Sequence, residues 1–163
     1  LLGRIINKAN KAEDYVEKIK IKMDQISDLS YKFQFKPKVY FEEWNDPLIT
    51  GIKWVSELIE IAGGIDIFKN KSFEPLALNR IIKNPSTIVK ENPDIIIGSW
   101  CGKKLKKEEI TCRDGWDKIN AVRNNQVYEI KSPLILQPGP AALTDGLDEI
   151  FKIILKWENF ITS

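Results

Sequence analysis

The sequence predicts an α/β fold: a three-layer lobe with a mainly parallel sheet, preceded by a long connecting helix. Three observations predict it. Strand-like and helix-like segments alternate from residue 38 to the last residues, which favours parallel strands with helices on both sides. The clearest strand, Asp94-Ile95-Ile96-Ile97-Gly98, is an apolar run of the kind buried on both faces. The opening residues carry only a helical seam. With 163 residues, 43% of them hydrophobic, the chain can bury a full core and is too apolar to stay disordered.

Each element has its own signal. Ile5, Ala9, Ala12, Val16, Ile19, Met23 and Ile26 alternate four-three spacings, and no Gly or Pro interrupts from Arg4 to Lys36. The pattern predicts a helix from Leu2 to about Phe33. It serves equally a two-stranded coiled coil, a helix across the back of a domain, or a helix joining two domains. Lys38-Val39-Tyr40-Phe41-Glu42 reads as a short buried strand. Asp46-Pro47 reads as an N-cap followed by proline at the first helical position, opening a helix whose face is Leu48 to Ala62 and which Gly63-Gly64 ends. Ile65 to Phe68 is a second short strand, and Asn84-Pro85 and Asn92-Pro93 bracket a brief helix. Gly115 to Val122 looks helical, and Gln126 to Ile130 returns as a strand. Gly139-Pro140 opens a last helix with Leu143, Leu147, Ile150, Phe151, Ile154 and Leu155 on one face.

Composition excludes several functions. The 25 basic and 23 acidic side chains leave a net charge of +2, so no basic excess points to nucleic acid. Histidine is absent, which removes serine–histidine and cysteine–histidine catalysis and nearly all zinc-enzyme sites. Apolar runs of about three residues cannot span a membrane. Cys101 and Cys112 are too few for a disulfide scaffold; they read as two ordinary thiols or as one bridge. The chain opens on Leu1 rather than Met, as expected of a processed chain or a piece of a longer one.

In an open parallel sheet, ligands meet the loops that leave the carboxyl ends of strands. Three such loops are unusual here: Glu42 to Asp46, Ser99 to Gly102, and Lys131 to Pro140. Trp44 and Trp100 sit in the first two, with Trp116 a little further on; each is a platform for a flat ligand or a packing residue. Glu42 and Glu43 are neighbours on a strand and point to opposite faces, so they cannot act as an acid/base pair on one substrate. Glu43 is the one expected near the cleft. Lys103, Lys104, Lys106 and Lys107 form a cationic patch, read as a solvated face with an anionic ligand as the alternative.

Glu43-x-x-Asp46-Pro47, Trp54-Val55-x-Glu57-Leu58-Ile59-x-x-Ala62-Gly63-Gly64, Asn92-Pro93-Asp94-Ile95-Ile96-Ile97 and Gln137-Pro138-Gly139-Pro140, in this order, resemble the cobalamin and iron-chelate substrate-binding proteins of ABC importers. The resemblance runs over almost the whole chain. It implies two α/β lobes joined by a rigid helix, with ligand between them. Residues 1–36 would then be the connecting helix and residues 37–163 the C-terminal lobe, the N-terminal lobe being absent. It implies an extracytoplasmic, membrane-anchored carrier that takes a cobamide or iron chelate to a permease, with no catalysis, no resident cofactor and no metal site. The ligand residues implied are Trp44, Trp100 and Gln137, with Glu43 positioning the first loop and Trp116 a further candidate. Gln137 stands where the family often has a charged residue. The glutamate that docks on the permease falls by register on Ser86, with Glu74 just upstream as its substitute. Two other classes stay open: an enzyme on a similar layered fold, and an interaction protein that pairs through the N-terminal seam.

Overall fold

The computed structural model describes residues 1–163, in the order α1 (Leu2–Ile5), α2 (Ala9–Tyr31), β1 (Lys38–Asn45), β2 (Leu48–Thr50), α3 (Lys53–Ile61), β3 (Ile65–Asp66), α4 (Lys69–Ser72), α5 (Ser86–Glu91), β4 (Ile95–Gly98), α6 (Glu108–Thr111), α7 (Asn120–Arg123), β5 (Val127–Glu129), α8 (Ser132–Ile135) and α9 (Leu147–Thr162). Single 3-10 turns lie at Ala77–Arg80 and Trp116–Lys118, and a π-helical turn at Ala142–Gly146 leads into α9. The sheet order is β2-β1-β4-β5. Strands β1, β4 and β5 run parallel, β3 lies parallel to the start of β1, and β2 returns antiparallel beside its end.

The layers follow from the two-residue period of the strands. Val39, Phe41, Ile95 and Ile97 face one core with α2, α3, α8 and α9. Tyr40, Ile96 and Val127 face the other, with Ile88, Leu105, Ile110 and Trp116 from shorter segments. All seven of these strand residues are at most 1% exposed, so the central sheet is dry on both sides. The predicted three-layer α/β lobe is therefore present.

Several elements differ from the sequence reading. Asp46-Pro47 does not cap a helix. It makes the turn between β1 and β2, where Asn45 pairs with Leu48 and Trp44 with Ile49, and α3 begins only at Lys53. Cross-strand pairing of the two segments has overridden the local capping signal. The long helix breaks at residues 6–8, where Asn7 adopts φ 53. The turn lets α1 fold back so closely that a Cβ on Gly3 would stand 2.5 Å from the Ala12 Cβ. Beyond the break the seam divides: Val16 is 50% exposed, whereas Ile19 and Ile26 are buried and Met23 packs against the core. The hydroxyl of Ser30 donates to the Ile61 carbonyl at 2.8 Å, and the Gln34 N–H donates to Glu158 Oε1 at 2.7 Å, so the end of α2 is tied to α3 and α9.

The segment 115–122 is not one helix. Ile119 is extended (φ −72°, ψ 133°) and fully buried, and it separates a 3-10 turn from α7. The Asn120 N–H then donates to Asn92 Oδ1 at 2.8 Å, and the Ala121 N–H to the Pro93 carbonyl at 3.0 Å. Gly146 closes the π-helical turn that leads into α9. A Cβ at Gly146 would lie 2.5 Å from the Leu134 carbonyl oxygen, so glycine permits the close pass of the last helix over α8.

Candidate functional site

The parallel strands β1, β4 and β5 deliver their exits to one edge, and that edge is built around two buried ion pairs. Glu42 and Glu43 are neighbours near the end of β1, where the register against β2 shifts, and each carboxylate takes its own arginine. Glu42, 0% exposed, accepts from Arg113 Nη1 at 2.5 Å and Nη2 at 2.8 Å, from Trp100 Nε1 at 3.0 Å and from the Tyr40 hydroxyl at 3.2 Å. The Arg113 guanidinium also lies 4.5 Å from the Trp116 ring centroid. Burial works against the Arg113 charge, yet bonding to Glu42 more than offsets it, and the group is held above its ordinary value. Burial beside Glu42 pushes the Tyr40 phenol well up.

Glu43 accepts from Arg80 Nη2 with both oxygens at 3.0 Å. Burial raises the Glu43 carboxyl despite the opposing Arg80 charge. The pair fastens the β1–β2 hairpin to the turn Ala77–Arg80. Neither arginine was singled out from the sequence. The signal was present: two adjacent carboxylates at the exit of a buried strand each need a cation, and the chain has only four arginines.

Trp44 lies near the end of β1 and Trp100 just past β4, both against the same core cluster, but they differ in exposure. Trp44 is half-buried, its Nε1 donating to the Asp46 carbonyl at 2.8 Å. The expectation that Trp100 and Trp116 offer their faces to a ligand needs correction. They are 2% and 1% exposed, because their rings fill the core on the short-helix side and Trp100 Nε1 is spent on Glu42. Trp100 still reaches the wall of a cleft of about 490 Å³ between the β4 and β5 exits, with Lys103, Lys104, Glu129, Lys131 and Ser132.

Gln137 is exposed and stands apart from the tryptophans, in an apolar hollow of about 290 Å³ with Trp54, Pro138, Gly139, Ala142 and Leu143. Trp54, which the sequence reading did not assign to a ligand, is held there by Nε1 donating to the Ile135 carbonyl at 2.9 Å. Glu74 and Ser86 are both exposed and line separate hollows. Glu74 accepts from Asn79 Nδ2 at 3.1 Å, and the Ser86 N–H donates to Asn84 Oδ1 at 3.1 Å. Both cysteines are free and exposed. No helix is long and apolar enough to cross a membrane.

Ion-paired strand exits and concave loops at one edge of a parallel sheet have the layout of a ligand-binding wall. The chain matches the Periplasmic binding protein family over residues 1–134 and belongs to that family. Its members are transport substrate-binding proteins, not enzymes. A stretch of 67 residues, 41% of this chain, is 37% identical to the "Uncharacterized ABC transporter substrate-binding lipoprotein YvrC" of Bacillus subtilis. Over 138 residues, 80% of this chain, it is 25% identical to the "High-affinity heme uptake system protein IsdE" of Staphylococcus aureus. The chain spans only 20% and 46% of the lengths of those two proteins. The fold is that of an ABC transporter substrate-binding protein from Listeria monocytogenes, with a TM-score of 0.79 at 22% identity, covering 95% of this chain and 61% of that one.

Proposed function

We propose that this chain is the C-terminal lobe, with its connecting helix, of an extracytoplasmic substrate-binding component of an ABC importer. It forms one wall of an interlobe cleft that captures an iron-type chelate, a heme or a cobamide and presents it to a membrane permease. The observation that carries this reading is the convergence of three parallel strand exits at one concave edge in a chain of this family. Gln137 supplies an exposed contact and Trp44 a half-buried one, and Glu43 keeps the first loop in place. Glu74 and Ser86 are the candidate permease contacts. The heme uptake named for the S. aureus relative and the lipoprotein character named for the B. subtilis one support the ligand class and the cell-surface location.

The exposed start of the seam, with Ile5 70% exposed, is the surface that an N-terminal lobe would cover. The coiled-coil reading loses weight because Ile19, Met23 and Ile26 already pack within the chain. Calorimetric titration with hemin, a ferric hydroxamate and cyanocobalamin tests the proposal on this chain and on the longer protein that contains it. Removing one wall of a two-walled cleft should weaken binding at least about 100-fold, or roughly 2.7 kcal/mol. Binding of none of the three by either protein overturns it.

A further inference from the structure

We infer that the pole of the lobe opposite the strand exits is a lipid-contact surface. The exposed rings of Tyr31 and Phe35 enter the headgroup layer of an anionic membrane, and Lys32 and Lys36 meet its phosphates. The inference goes beyond the carrier reading and does not depend on which chelate is carried.

The segment that joins α2 to β1 crosses the end of the sheet where the parallel strands begin. The Lys38 N–H donates to Asp94 Oδ2 at 2.9 Å just ahead of β4, and the Ile65 N–H at the start of β3 donates to the Pro37 carbonyl at 2.8 Å. From Leu29 to Lys38 the chain carries three lysines, three aromatics and no acidic residue. Phe33 packs inward and stacks on Phe151 with ring centroids 5.9 Å apart. The other two aromatics stay in solvent: Tyr31 is 86% exposed and Phe35 47%. The bond from the Gln34 N–H to Glu158 sets the last turns of α9 beside them, and there Phe160 is 50% exposed. Lys32 and Lys36 are exposed and form no ion pair. The carboxylates around them are mostly committed. Glu91 lies 3.7 Å from the Lys38 ammonium, Asp94 accepts from the Lys38 N–H and from Asn120, and Glu158 is buried. Set against Asp28 on the preceding turn of α2, the two free lysines leave the segment positive.

Area and composition choose lipid over a protein partner. The three exposed rings present about 400 Å² of surface, half of the about 800 Å² that each partner gives to a stable dimer. Protein interfaces are depleted in lysine, whereas aromatic and lysine side chains together mark segments that lie at a membrane–water boundary. There the rings take the headgroup level, and lysine stems run along apolar surface while their ammonium groups reach the phosphates. Held by this pole, the chain turns the exits of β1, β4 and β5 toward the medium, because they lie at the opposite end of the same strands. A carrier resting on the membrane in this way keeps its ligand edge open.

The test sediments the 163-residue chain with vesicles over a range of lipid concentrations. The chain should sediment with vesicles of equal parts phosphatidylglycerol and phosphatidylcholine, not with phosphatidylcholine alone, and added salt should release it. K32Q/K36Q should weaken binding about thirtyfold, and Y31S/F35S about tenfold. K8Q/K11Q, the same loss of charge at the other end of α2, should leave it unchanged. No sedimentation with the anionic vesicles overturns the inference, as does a K32Q/K36Q variant of unchanged melting temperature that binds like the unaltered chain. K32Q/K36Q decides if Y31S/F35S fails to fold. An equal effect of K8Q/K11Q overturns it by reducing the binding to net charge. A chain that forms dimers without vesicles, and loses them in Y31S/F35S, assigns the patch to a second copy and overturns it as well. Chelate titration measures the carrier reading separately, so that reading stands in each of these cases.

Discussion

Replacing Arg113 by methionine should destabilise the chain by about 3–5 kcal/mol, although Arg113 lies outside the regular strands and helices. The magnitude comes from what Glu42 is left with. Its carboxylate is 0% exposed and has four donors, two of them the guanidinium nitrogens at 2.5 and 2.8 Å. Each charge-assisted bond contributes about 1.5–3 kcal/mol, and the contact of Arg113 with the Trp116 face about 0.5–1 kcal/mol more. In R113M the carboxylate keeps only the Trp100 N–H and the Tyr40 hydroxyl, two neutral donors facing a buried charge. Removing both charges is different in kind. E42L/R113M leaves no buried ion, so its cost should fall short of the sum of E42L and R113M by at least about 2 kcal/mol. Urea denaturation followed by far-ultraviolet circular dichroism gives each value, compared at equal m. A cost below about 1 kcal/mol for R113M, or additivity of the two single variants within about 0.5 kcal/mol, would show that the pair does not hold the β1 exit to the 100–116 segment.

Four further outcomes are expected. Trp100→Ala should cost about 3–5 kcal/mol of stability and leave the chelate affinity of the folded molecules unchanged, because the ring is 2% exposed; lowered affinity at an unchanged melting temperature would return Trp100 to the ligand face. Gly146→Ala should cost about 1–3 kcal/mol, since its Cβ would stand 2.5 Å from a backbone oxygen, whereas Gly139→Ala, with nothing within 4 Å, should be nearly neutral; equal melting temperatures would refute the steric account. Burial makes folded Glu43 hold its proton above the ordinary value of 4.5, so the folded state binds more protons than the unfolded one in the window just above that value. Stability from this group is present below the window and lost as pH rises through it. Asp66, also raised by burial, adds a parallel decline, so E43Q should flatten the slope in part, and an unaltered slope would contradict the assignment. Hydrogen exchange should protect the half of α2 around Ile19 to Ser30 and leave residues 2–16 fast, and uniform protection from Ile5 to Ile26 in a monomer would count against an uncovered seam.

The residues by themselves determined the layering of this protein, because layering follows from periodicity. Ile95-Ile96-Ile97 has no polar side and must be covered on both faces, and the alternation of strand and helix around it leaves a parallel sheet between two helical layers. The same logic places the exits of the parallel strands β1, β4 and β5 at one edge. Tertiary structure decided what local signals could not. Asp46-Pro47 satisfies the rules for a helix start, yet pairing of Trp44 with Ile49 makes it a hairpin turn, and that pairing depends on two segments meeting. Trp100 has the composition of a ligand platform. Whether its ring faces solvent or core depends on Leu105, Ile110 and Trp116, which share its core cluster, and on Glu42, which accepts its N–H. Arg80 and Arg113 were silent in the sequence for the same reason: an ion pair across 37 or 71 positions has no periodicity, and only the folded chain brings its charges together.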